Sequence, residues 1–274
     1  MVDFMNRYIH PKHIVVLIRK EWAELYRNTL LLGSVLFMPL LFAAIPIIML
    51  WSMGDIAADA MGGMGENLPA QMTQLCGGLS SGACSMAFLM AQFNTMFMFI
   101  PVILPSTIVP YAIVGEKMQR SLEPLLATPI STLDLLLAKA LAAIIPATLA
   151  TWLSFFIYLT ATWFLLSSKA VFAVIFQPLW LFAIFVVGPL LALLTADLAL
   201  MVSSRSTEPR AAQQIAGLVV LPLVLLLLGQ MSGMLLITPI LILLGGFIIL
   251  ILDLILTYLA VQVFDREAIL TRWA

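Results

Sequence analysis

Apolar residues run in six long stretches, roughly 29–53, 85–114, 134–166, 178–202, 211–228 and 238–264, separated by short polar breaks. A bilayer core about 30 Å thick is crossed by about 20 mostly apolar residues in a helix. Each stretch meets that length, so the pattern predicts six transmembrane helices and an all-α membrane protein. The third stretch runs on towards 171–176, and its far end is the least sharply marked.

The segment before the first stretch has a different period. Val15, Ile18, Trp22, Leu25 and Tyr26 recur at helical spacing, and Lys20, Glu24 and Arg27 fall on the opposite side, with Lys20 and Glu24 an i,i+4 pair. This predicts an N-terminal amphipathic helix in residues 1–28. It would lie in the membrane interface, with Trp22 and Tyr26 at headgroup level. Residues 29–274 then form the membrane domain.

Composition agrees. Hydrophobic residues make up 63% of the 274 and charged residues 10%, with a mean hydropathy of +1.11. Soluble domains hold about 25% charged residues, so lipid must solvate most of this surface. The net charge of −1 gives no basic bias towards nucleic acid. Charged residues and both histidines precede the first apolar stretch, which argues against a cleaved signal peptide.

The placement of the charges carries more than their sum. Twelve of the 13 Lys and Arg fall on one set of alternating segments, and only Lys169 on the other. The positive-inside rule then puts both termini in the cytoplasm. The segment 54–84 becomes an outer loop and 115–134 a cytoplasmic one. A plasma (inner) membrane of prokaryotic type is the expected location.

Prolines 39, 46, 101, 105, 110, 146, 189 and 222 lie within the stretches. Each removes a backbone donor, and neighbouring helices must satisfy the freed carbonyls. With Pro101, Pro105 and Pro110 in one span, the second helix is expected to be broken or strongly bent.

Several chemistries are excluded. A phosphate-binding loop ends in Gly-Lys-Ser/Thr, but the five lysines follow Pro11, Arg19, Glu116, Ala138 and Ser168. The histidines, His10 and His13, precede the first span, so neither a Ser–His pair nor a His-based metal site can be built in the bundle. No catalytic residue, metal site or cofactor is expected on this chain.

Cys76 and Cys84 are the only cysteines, with seven residues between them. Both fall on the outer, oxidising side, which favours a disulfide over a reduced pair. The chain-entropy model gives so short a loop about 2.5 kcal/mol. Asp253 stands near the middle of the sixth span. A charged Asp at the centre of an isolated spanning helix costs about 2.5–3.5 kcal/mol, so it should face the bundle or water, or carry a proton. It is a candidate for a structural polar contact or for an ion or substrate site. Asp197, nearer a helix end, reads as structural.

The first cytoplasmic loop, GEKMQRSLEPLLATPISTLD, is the most informative segment. Ser121 can N-cap a short helix with Pro124 in its first turn, and Ser131 with Asp134 forms a capping box for the third span. The loop helix would set charges against Leu122, Leu125 and Leu126. This pattern resembles the coupling loop of type-2 ABC exporter permeases, on Glu116, Lys117, Leu122, Glu123, Leu125, Leu126, Thr128, Pro129, Ile130 and Ser131. Arg120-Ser121 stands where that family often has Gly-Thr before its Leu-Glu. Residues 18–28, with Lys20 and Glu21, are similar to the family's elbow helix. Residues 203–213 and 264–273 are similar to its second cytoplasmic loop and its tail.

The resemblance implies a permease with a short cytoplasmic coupling helix, paired with a second permease subunit as homodimer or heterodimer. Two copies of a separate ABC ATPase, which binds ATP and Mg, would dock below. Glu116, Lys117, Arg120, Ser121, Leu122, Glu123, Leu125, Leu126 and Pro129 would serve ATPase coupling. Arg205, Glu208 and Arg210 would form a second contact, and Lys20, Glu21, Trp22, Glu24 and Arg27 the elbow. The alternative is an ion-coupled secondary transporter using Asp253. The motifs concern coupling and carry no information on the substrate.

Overall fold

A computed structural model describes residues 11–62, 81–118, 131–166, 169, 172–173, 176–232 and 238–263. Among them every regular element is helical. In chain order these are α1 (Pro11–Arg27), α2 (Thr29–Gly62), α3 (Ser81–Phe97), α4 (Ile100–Met118), α5 (Thr132–Leu165), α6 (Pro178–Phe182), α7 (Gly188–Arg205), α8 (Pro209–Ala216), α9 (Val220–Met231) and α10 (Pro239–Val263). Six segments are long and apolar enough to cross a membrane: Leu31–Ser52, Met86–Glu116, Leu133–Leu165, Pro178–Arg205, Pro209–Met231 and Pro239–Ala260. A helix satisfies its own backbone, which is why lipid admits it.

The second span runs through the centre of the bundle and is the most buried. It packs on α2, α5 and α7, and α7 in turn packs on α10. Met90, Phe97, Ile100, Val102, Leu104, Val109 and Ile113 along it are fully buried. The fifth and sixth spans leave most of their apolar surface open, as suits helices facing lipid or another subunit.

The second span is broken, as the prolines led one to expect, but the break falls before them. Met98 and Phe99 donate to Thr95 and Met96 in tight turns at 3.0 and 3.1 Å, and α4 starts afresh at Ile100. Pro101 occupies the first turn of α4, where the missing N–H has no helical acceptor to lose. Pro105 and Pro110 continue inside α4.

Two other prolines are answered by tryptophans. Pro146 has no N–H for the carbonyl of Ala142, and the Trp22 indole of α1 donates to that oxygen at 3.0 Å. A π-helical turn, Ala183–Val187, precedes Pro189. In i→i+5 geometry Pro189 would have answered Ile184, whose oxygen instead accepts from the Trp152 indole at 3.3 Å. Both contacts show neighbouring helices repairing a backbone defect inside the bundle.

α1 turns directly into α2. Asn28 closes α1 through its N–H and caps α2 through its side chain, which accepts from the Leu31 N–H at 3.3 Å. Ser131 N-caps α5, its hydroxyl accepting from the Asp134 N–H at 3.0 Å.

Candidate functional site

The polar centre of the molecule lies where α1 crosses the end of the second span and the start of the third. α1 buries only part of the face that its apolar residues outline. Leu17, Glu21 and Leu25, at i, i+4 and i+8, point into the bundle, while Val15 and Tyr26 stay exposed. A glutamate therefore occupies the middle of the buried stripe.

Its partner comes from far along the chain. Lys139 of α5 is 1% exposed, and its ammonium sits 2.8 Å from Glu21 Oε1 and 2.9 Å from Glu116 Oε2. It also donates to the carbonyl of Ala112 at 3.0 Å. Lys20 pairs with the other oxygen of Glu116, with Glu21 at 3.4 Å and with Glu24 at 3.1 Å. Glu21 is 7% and Glu116 5% exposed. Two lysines and two buried glutamates thus form a closed ring joining three helices, with Glu24 at its rim.

Burial works against the charged form of Lys20. The hydrogen bond to Glu116 and the charges of Glu21 and Glu116 outweigh it, so the ammonium is held above its usual range. One carboxylate oxygen each of Glu21, Glu24 and Glu116 lies within 4.8 Å of the others. Such a set can hold a metal ion, but here the ammonium groups of Lys20 and Lys139 supply the positive charge.

Glu116, expected in the ATPase contact, faces inward with an ammonium at each of its carboxylate oxygens. Lys139 stands out in the sequence only by its charge. The signal for it was a lysine within an apolar helix, which needs an acid to face. The Trp22 indole turns into the bundle, to the carbonyl of Ala142.

Glu24 and Arg27 are exposed and line a polar cavity of about 610 Å³ between α1, α4 and α5, together with Trp22, Asn28 and Tyr111. Arg205, Glu208 and Arg210 are exposed at the joint between α7 and α8. There Arg210 borders a smaller cavity with Thr107 and Gln213, whose side chains are hydrogen-bonded at 3.2 Å. The backbone of Lys117 is helical in α4. Arg120, Ser121, Leu122, Glu123, Leu125, Leu126 and Pro129 lie outside the described residues.

Elsewhere, Asp253 of α10 is 2% exposed. Asp197 of α7 accepts a hydrogen bond from the Thr257 hydroxyl, one turn beyond Asp253. Cys84 is disulfide-bonded, and Cys76, its expected partner, lies outside the described residues. An apolar cavity of about 600 Å³ sits among the second, fourth, fifth and sixth spans, bordered by Met98, Trp180, Leu191, Leu223 and Ile242.

A family model described as ABC-2 type transporter matches residues 12–229. No curated protein sequence matches the chain.

Proposed function

The chain belongs to the ABC-2 type transporter family, and from that premise we propose that it forms the translocation pathway of an ATP-driven exporter and is driven by a separate ATPase subunit. Two permease subunits enclose the pathway, as homodimer or heterodimer, and two ATPase copies bring ATP and Mg to the cytoplasmic face. Both termini lie on that face, in the inner membrane of a prokaryotic cell. The chain itself performs no catalysis.

The observation that carries this reading is the ion ring of Lys20, Glu21, Glu116 and Lys139. It stands at both flanks of the segment 117–131. Glu116 is the last residue of the second span, and Lys139 lies in the second turn of the third. A force applied to the loop between them reaches the two spans and α1 at once, because buried ion pairs resist separation. That is the mechanical need of a coupling element. Leu122, Leu125 and Leu126 would dock on the ATPase, with Lys117, Arg120, Ser121, Glu123 and Pro129 shaping the contact. The exposed Arg205, Glu208 and Arg210 would add a second contact. α1 serves as an elbow lying in the interface, where the exposed Val15 and Tyr26 reach lipid.

The test is purification of the tagged chain from its native membrane in mild detergent, followed by mass spectrometry. A stoichiometric phosphate-loop ATPase is expected, and replacing residues 117–131 with a Gly-Ser linker should release it. A chain that arrives alone from membranes that still transport on an ion gradient would overturn the reading.

A further inference from the structure

The protein treats its buried acids in two ways. Glu21 and Glu116 each face a lysine ammonium. Asp253 and Asp197 face none among the described residues, although both are as deeply enclosed, at 2% and 3% exposed. Both oxygens of Asp253 lack a hydrogen-bond partner among the described residues. The two acids lie in one helix–helix seam. Thr257 follows Asp253 by one turn on the same face of α10, and its hydroxyl reaches across to Asp197 on α7.

Two carboxylates in a seam between spanning helices cannot both stay ionised without a counter-charge. Solvation there is weak and like charges repel strongly. The seam offers a hydroxyl and four carboxylate oxygens, a set of hard oxygen donors and no cation of its own. We propose that Asp253, Asp197 and Thr257 form an intramembrane site for one small monovalent cation, a hydron or a sodium ion. The site lies inside a single subunit, between α7 and α10, and does not depend on the reading of the chain as an ATPase-driven permease.

The experiment is labelling of the full-length chain in lipid nanodiscs with dicyclohexylcarbodiimide, read by peptide mass spectrometry. This apolar reagent adds to carboxylic acids that hold a proton. A hydron site gives an adduct on Asp253 or Asp197 that grows as pH falls and ignores sodium. A sodium site gives an adduct in choline chloride that is lost in sodium chloride of equal ionic strength. In either case thermal unfolding of the native chain shifts with the same cation, and Asp253→Asn, a neutral isostere, loses that shift. Should Asp253→Asn fail to fold, Asp197→Asn serves the same comparison. Absence of adduct in every condition, with unfolding indifferent to pH and to sodium, overturns the proposal. No ATPase enters the assay, so its failure and a failure of ATPase association are separate results.

Discussion

The ammonium of Lys139 lies 2.8 Å from the carboxylate of Glu21, across 118 residues of sequence and almost out of reach of water. Removing one member of such a pair leaves a buried charge unanswered, which costs about 3–5 kcal/mol. Lys139→Met is therefore expected to be strongly destabilising, because Glu21 and Glu116 both lose their buried ammonium and keep only the half-buried Lys20. Glu21→Gln in the Lys139→Met background should recover part of the loss. Reversible unfolding in mixed micelles measures both. Equal stability of native chain and Lys139→Met would mean that the ring carries no net energy.

Trp22 makes a second prediction, because its acceptor exists only through a proline. Ala142 has a free carbonyl since Pro146 cannot donate to it. Trp22→Phe keeps the ring and loses the donor, and should cost about 1 kcal/mol, the scale of hydrogen bonds between spanning helices. In a Pro146→Ala background the helix supplies its own donor, so the same Trp22→Phe change should cost less. A double-mutant cycle on unfolding free energies gives the difference directly. A coupling of zero would show that the indole contact is incidental.

The outline of the fold was legible because lipid enforces it. Each span must be long and apolar, so six runs of hydropathy gave six helices with ends within a few residues in most cases. Ser131 could be read as the cap of the third span because capping is local. What the sequence does not show is any feature set by a distant partner. The apolar spacing of α1 gives no sign that Glu21 turns inward, because its partner Lys139 lies on α5. Nor does the sequence around Lys117 reveal that Glu116 is held from two sides. The three prolines of the second span announced a break, and it lies at Met98–Phe99, just before Pro101.

Lys20 gives a prediction in pH. Its ammonium is held above the ordinary value of 10.5 in the folded chain. For a raised group, the stabilisation is fully present below the unfolded value and is lost as pH rises through the folded one. The stability difference between the native chain and Lys20→Met should thus stay constant from neutral pH to about 10.5, and decline only above it. Unfolding of both proteins across that window decides the matter. A difference that fades near neutral pH would point to a different titrating group in the ring.

The ring and the loop beside it should separate two steps of the transport cycle. If the loop docks the ATPase through apolar contacts, Leu122→Asp with Leu125→Asp places charge where desolvation is needed and should abolish co-purification of the ATPase. Glu116 is buried at the end of the second span, so Glu116→Gln should leave co-purification intact. It would leave Lys139 with Glu21 alone and weaken Lys20's hold, loosening α1 from the second span. Spin labels at Lys12 and Met118, both exposed, report that tie without any knowledge of the substrate. In the native complex α1 and the end of α4 move as one body, so the distance between the labels should stay narrow with and without ATP. In Glu116→Gln it should broaden when ATP binds. A distribution that stays narrow in the variant would assign the ring to stability alone, whereas loss of the ATPase from Glu116→Gln would place Glu116 in the docking contact after all.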